Sequence, residues 1–138
     1  MLTKNDFCDY DTCVALKELG YNRGAYAYYF PNHKEDLIFN THPMRGCSIN
    51  EMVRGYNTYS ENTVGHELLD APTMWEAQKW LREAHNLHIE IIYSPACWTC
   101  KIYNLKEWDY VKGFTFIHSF EEALSEGVRQ AIKILKEK

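Results

Sequence analysis

The chain has 138 residues, 46% of them hydrophobic and 14% aromatic, with a net charge of −4 from 15 basic and 19 acidic side chains. That length suits one compact domain with a real core. The basic residues are scattered from Lys4 to Lys138 without a dense run, which argues against the electrostatic footprint of a nucleic-acid or anionic-membrane binder.

The start, Met1-Leu2-Thr3-Lys4, lacks the charged-then-apolar layout of a signal peptide. No segment approaches the roughly 20 apolar residues of a membrane span. Five cysteines without a secretory signal fit free thiols in a reducing compartment, so the expected location is a cytoplasm.

In chain order, Asp9 or Asp11 can cap a short helix with apolar positions Val14, Ala15, Leu16 and Leu19. Gly20 ends it, and a left-handed Gly20 would bring Tyr21 onto Leu16. Aromatic and β-branched runs at 25–30 and 36–39 flank Pro31-Asn32-His33, the pattern of a hairpin. Between 40 and 63 the chain is interrupted by Pro43, Gly46 and Gly55. A helix capped by Ser48 and Glu51, carrying Ile49, Met52, Val53 and Tyr56, competes there with a surface loop.

The stretch 70–86 has the clearest start, face and stop. Pro72 suits a helix entry, Thr73 and Glu76 form a capping-box pair, and Met74, Ala77, Trp80, Leu81 and Ala84 recur at helical spacing. Asn86 supplies the stop, after which Leu87, Ile89, Ile91 and Tyr93 alternate with His88, Glu90 and Ile92 as in a half-buried strand. Ser94-Pro95-Ala96 turns the chain into a second strand, with Trp98, Cys100 and Ile102 on one face and Thr99, Lys101 and Tyr103 on the other.

A third strand over 110–118 places Phe114 and Phe116 on one side, Thr115 and Ile117 on the other, with Gly113 as a candidate bulge. Ser119 and Glu122 then cap an amphipathic helix through Phe120, Ala123, Leu124, Gly127, Val128, Ala131, Ile132 and Leu135. A glycine on its apolar face weakens the helix by roughly 1 kcal/mol and so points to a close neighbour. The expected class is α+β in a single domain, 1–138: an antiparallel sheet with two main helices, ordered α-β-β-β-α in the C-terminal half, preceded by a short helix and a β-hairpin.

Ala71-Pro72-Thr73, followed by the run from Ala77 to Glu83 and then by Phe120-Glu121-Glu122-Ala123-Leu124 and Gly127, resembles a family of small uncharacterised phage and prophage proteins, mainly from Bacteroidetes. The resemblance spans roughly the C-terminal half and touches residues 14–20. It implies a mobile-element origin and a small domain working in a bacterial host cell. It implies no catalytic residues, because the shared positions are caps and core.

Several residue groups suggest chemistry. Cys97 and Cys100 have redox spacing, but the residues after them follow a strand pattern. Three extended residues separate such cysteines by about 10 Å and point them to opposite faces. Cys8, Cys13, Cys97 and Cys100 are the candidates for a four-thiolate zinc site. His85 and His88 lie on either side of a helix stop and so are not expected to converge. The α-β-β-β-α order matches the double-stranded-RNA-binding fold, yet Glu121 and Glu122 open the last helix, where those domains present lysines to phosphate.

With no catalytic constellation, no cofactor expected, and four Trp, ten Tyr and six Phe, the preferred reading is a non-catalytic module that binds a protein partner or a second copy. By strand parity the face opposite the helices would group Ile92, Tyr103 and Ile117. Together with Trp75 on the flank of the 70–86 helix, these are the expected partner-binding residues; a cysteine-based zinc or redox protein is the alternative, and a nucleic-acid-binding domain of double-stranded-RNA-binding topology the second.

Overall fold

The computed structural model describes residues 2–30, 34–39 and 68–137. The chain divides into two compact units, Met1–Thr73 and Met74–Lys138. The class is α+β, with two three-stranded antiparallel sheets. The expected turn at 31–33 and the helix or loop at 40–63 lie outside the described residues.

In the first unit a 3-10 turn, Lys4–Asp6, precedes helix α1, Tyr10–Glu18. Asp9 caps α1, its carboxylate accepting from the Thr12 amide at 2.8 Å. Gly20, at φ 102, closes it: the Tyr21 amide donates to the Leu16 carbonyl and the Gly20 amide to that of Lys17, which are the two bonds of a Schellman ending. The inward residues of α1 are Thr12, Cys13 and Leu16, while Val14 and Ala15 are only half-buried. The apolar face predicted from aliphatic residues is thus rotated toward a threonine and a cysteine.

Strands β1, Ala27–Tyr29, and β2, Leu37–Phe39, form the expected antiparallel pair, and β3, Leu69–Asp70, joins the other edge of β1. Tyr29 is buried and donates its hydroxyl to the Cys8 carbonyl at 3.1 Å.

The second unit runs from helix α2, Met74–His85, through β4, Leu87–Ser94, β5, Cys97–Asn104, and β6, Asp109–Ile117, to helix α3, Phe120–Lys136. Asn86 takes φ 59, so one left-handed residue converts α2 directly into β4. Ser119 caps α3 by accepting from the Glu122 amide. The sheet order is β4-β5-β6, and both helices pack on it. The buried side chains are Leu87, Ile89, Cys100 and Ile102 from the strands, Ala77, Trp80 and Leu81 from α2, and Ala123, Leu124, Val128, Ala131 and Ile132 from α3. Ala84, expected on the apolar stripe of α2, is exposed.

Gly127 explains how α3 meets the sheet. A Cβ built there would stand 2.5 Å from Cγ2 of Ile89, a methyl that its β-branched side chain cannot swing aside. The close neighbour expected from the sequence is therefore Ile89.

Strand β6 corrects the predicted parity. Its pairing with β5 is regular at Phe114, Gly113 and Lys112, but shifts on both sides, between Trp98 and Cys100 and between Ile102 and Tyr103. An extra residue in one strand turns every later side chain to the other face. Ile117 consequently stands opposite Trp98, on the helix-covered side, and not with Ile92 and Tyr103. The irregularities flank Gly113 and do not include it.

Three outcomes follow from this packing. Trp80 is 4% exposed and Trp75 is 40% exposed, so Trp80→Ala should lose about 3–5 kcal/mol while Trp75→Ala stays near wild type in a thermal melt. A shift of a degree or two for Trp80→Ala would refute the buried face. Gly127→Ala should melt lower, because overpacking costs about 1–3 kcal/mol against about 1 kcal/mol of helix propensity gained. Paired with Ile89→Ala, the same change should become favourable, and a higher melting temperature for Gly127→Ala alone would remove the contact from the account. Ala96 holds φ 74 in the β4–β5 turn, a conformation costing about 1–2 kcal/mol for a residue with a Cβ. Ala96→Gly should therefore stabilise the protein by up to about 1 kcal/mol after the entropy of the unfolded glycine is subtracted, and unchanged denaturant midpoints would show that the turn is unstrained.

Candidate interaction surface

With the helices on one side of the second sheet, the other side carries His88 opposite Tyr103, Glu90 opposite Lys101, and Ile92 opposite Thr99. All six are half-buried. Tyr103 is raised above the ordinary phenol range by desolvation first and then by its hydrogen bond to the Glu90 carboxylate. Its ring stands 5.8 Å from that of Tyr110 at 68°. A Cβ at Gly113 would collide with the Tyr110 hydroxyl, so the glycine lets the Tyr110 ring lie across the strand, as aromatic rings do over strand glycines.

Beyond Tyr103 the β5–β6 loop exposes Leu105 and Trp108, and strand β6 exposes Tyr110 and Val111. At the other end Tyr93 is exposed, and its ring meets that of Trp98 at 5.0 Å, which in turn meets Phe120 at 5.7 Å. Of the residues predicted to bind a partner, Ile92 and Tyr103 share the face opposite the helices, Ile117 lies on the helix side, and Trp75 is exposed on α2. The structure does not gather the four. Sequence reasoning missed Trp108, Tyr110 and Leu105, although the aromatic residues around Lys106 and Glu107 were the available signal.

The thiols sit elsewhere. Cys8 and Cys13 are buried in the first unit, where the Cys13 thiol donates to the Cys8 carbonyl at 3.5 Å. Cys97 and Cys100 both belong to β5, Cys100 buried toward the helices and Cys97 with its sulfur 3.7 Å from the Ser94 hydroxyl. Neither cysteine opens a helix, so no dipole lowers a thiol there. Among the described residues no three His, Cys, Asp or Glu side chains are grouped to hold a metal ion. His85 packs edge-on against Trp80 at 4.8 Å, whereas His88 pairs across the strands with Tyr103 on the side opposite the helices. Glu121 and Glu122 are exposed at the start of α3. No helix among the described residues is long and apolar enough to cross a membrane.

Burial pushes the Cys13 thiol far up, reinforced by Cys8, Asp9 and Asp70. It pushes up Cys100, with Glu126 next in effect, and the Tyr29 phenol, with Cys13 next. Unfolded thiols ionise around pH 8.5. Above that pH the unfolded chain binds fewer protons than the folded one, so stability falls as pH rises. Melting temperatures should decline from neutral pH to about pH 10, and Cys13→Ala should flatten the decline; an identical slope in wild type and variant would contradict the buried protonated thiol.

Compared with known proteins, the chain matches no family model, no curated protein and no solved structure.

Proposed function

We propose that the chain is a non-catalytic protein-binding module, phage- or prophage-encoded and working in the cytoplasm of a bacterial host. The observation that supports binding is the distribution of exposed apolar side chains. Of nine large ones among the described residues, Tyr93, Leu105, Trp108, Tyr110 and Val111 belong to the second sheet and its β5–β6 loop. Scattered apolar residues are ordinary surface, but a concentration on one element marks a partner site. Among the described residues, burial favours the protonated form of Cys13 and Cys100, and a thiol is a poor nucleophile in that form. The phage origin rests on the shared capping and core motifs alone.

The test is calorimetric titration of the intact chain with a purified protein recovered alongside it from host cytoplasm. Saturable binding with a negative heat-capacity change, the mark of apolar burial, is expected. Stoichiometric zinc in the purified chain, or thiol–disulfide turnover by Cys97 and Cys100, would overturn the reading in favour of the metal or redox alternative. A concentration-dependent dimer in sedimentation with no other protein bound would make a second copy the partner.

A further inference from the structure

The β5–β6 loop consists of four residues between the paired Asn104 and Asp109. The Asn104 side-chain oxygen accepts from the amides of Lys106 at 3.0 Å and Glu107 at 3.2 Å, winding the first half of the loop as an Asx turn. The chain then returns to β6 through a residue at positive φ. Glycine or asparagine would hold that conformation without strain, yet the position is Trp108, at φ 60. Its ring is 92% exposed, so no burial within the fold offsets the strain. A strained backbone that presents a large unburied ring is the kind of feature that collects at functional sites.

We infer that Trp108 is the anchor of the interface, a projecting ring that enters an apolar pocket on a folded protein partner, with Leu105 and Tyr110 contributing around it. The inference rests on the protein-binding reading above. Trp and Tyr dominate the energetics of interfaces because each buries a large, rigid area at small entropic cost. The flanking charges select the pocket: Glu107 and Asp109 are the sequence neighbours of Trp108, and Lys106 is the one cation between Asn104 and Tyr110. Such a tip fits a pocket rimmed by arginine or lysine and is repelled by an anionic bilayer.

The experiment titrates the protein recovered with the chain from host cytoplasm, once purified, with the full chain as wild type, as Trp108→Gly and as Tyr26→Ala, at low and raised salt, and melts each variant alone. Trp108→Gly should melt at or above the wild-type temperature, since it relieves the strained turn, and should bind at least roughly 30-fold more weakly. Tyr26→Ala, which removes an exposed ring from the first unit, should bind within about twofold of wild type, and raised salt should weaken the wild-type complex. Wild-type affinity in Trp108→Gly would overturn the anchor while leaving the binding module intact, and so would a clearly lower melting temperature, which would make the ring structural. Absence of any saturable protein ligand for the wild type would remove both. Wild-type dimers that dissociate in Trp108→Gly, or Trp108-dependent binding to phosphatidylglycerol vesicles, would overturn the assigned occupant.

Discussion

The approach of α3 to β4 at Gly127 and Ile89 governs the second unit, because the distance between helix and strand there leaves no room for a Cβ. Close approach lets the small residues Ala123 and Ala131 lie buried in the same stripe as Leu124, Val128 and Ile132, so a 17-residue helix covers its side of a three-stranded sheet together with α2. The cost in helix propensity is local, and the gain is a dense inner face. One consequence reaches the surface. With both helices on one side, the opposite face of the sheet has to be mixed in character, and its cross-strand pairs of His88 with Tyr103 and Glu90 with Lys101 are of that kind.

The elements most legible in the sequence were those whose local chemistry and periodicity agree. Helix α2 begins next to Thr73 and stops at a left-handed Asn86, α1 ends on a left-handed Gly20, and α3 starts on Ser119. Each depends on backbone groups within one turn, which sequence spacing specifies directly. The errors arose where a neighbour outside the window decided the outcome. Thr12 and Cys13 face inward although neither is aliphatic, and the Cys13 thiol finds an acceptor there in the Cys8 carbonyl. Ile117 was assigned to the wrong face because parity assumes regular pairing, and the irregularity between Trp98 and Cys100 breaks it. The residue whose ring lies over Gly113 is Tyr110, three positions earlier on the same strand, a relation that alternation does not express.

The cysteines show the same difference between spacing and environment. Cys97 and Cys100 have the separation of a redox pair, but reactivity needs a stabilised thiolate. On β5 the two side chains point to opposite faces, and Cys100 lies under the helices, where burial favours the neutral thiol. Cys13 is driven further in that direction by a second thiol and two carboxylates. Sulfur in these positions behaves as a small apolar packing atom with a weak hydrogen bond, which is the usual state of a buried cysteine.

Ala96 and Trp108 both turn the chain at positive φ, in the two hairpins of the same sheet. The β4–β5 pair is regular along eight residues and holds the Ala96 turn firmly, so the strain of a methyl group is absorbed by a long ladder. The β5–β6 pair is shorter in register, and its loop carries a far larger side chain with no internal contact to hold it. If the loop served only to connect strands, a smaller residue would connect them with less strain. The arrangement fits the proposed burial of the ring outside the fold: the turn is built on a sheet packed against α2 and α3, and a turn preformed in this way would lower the entropy lost if a partner buried its ring.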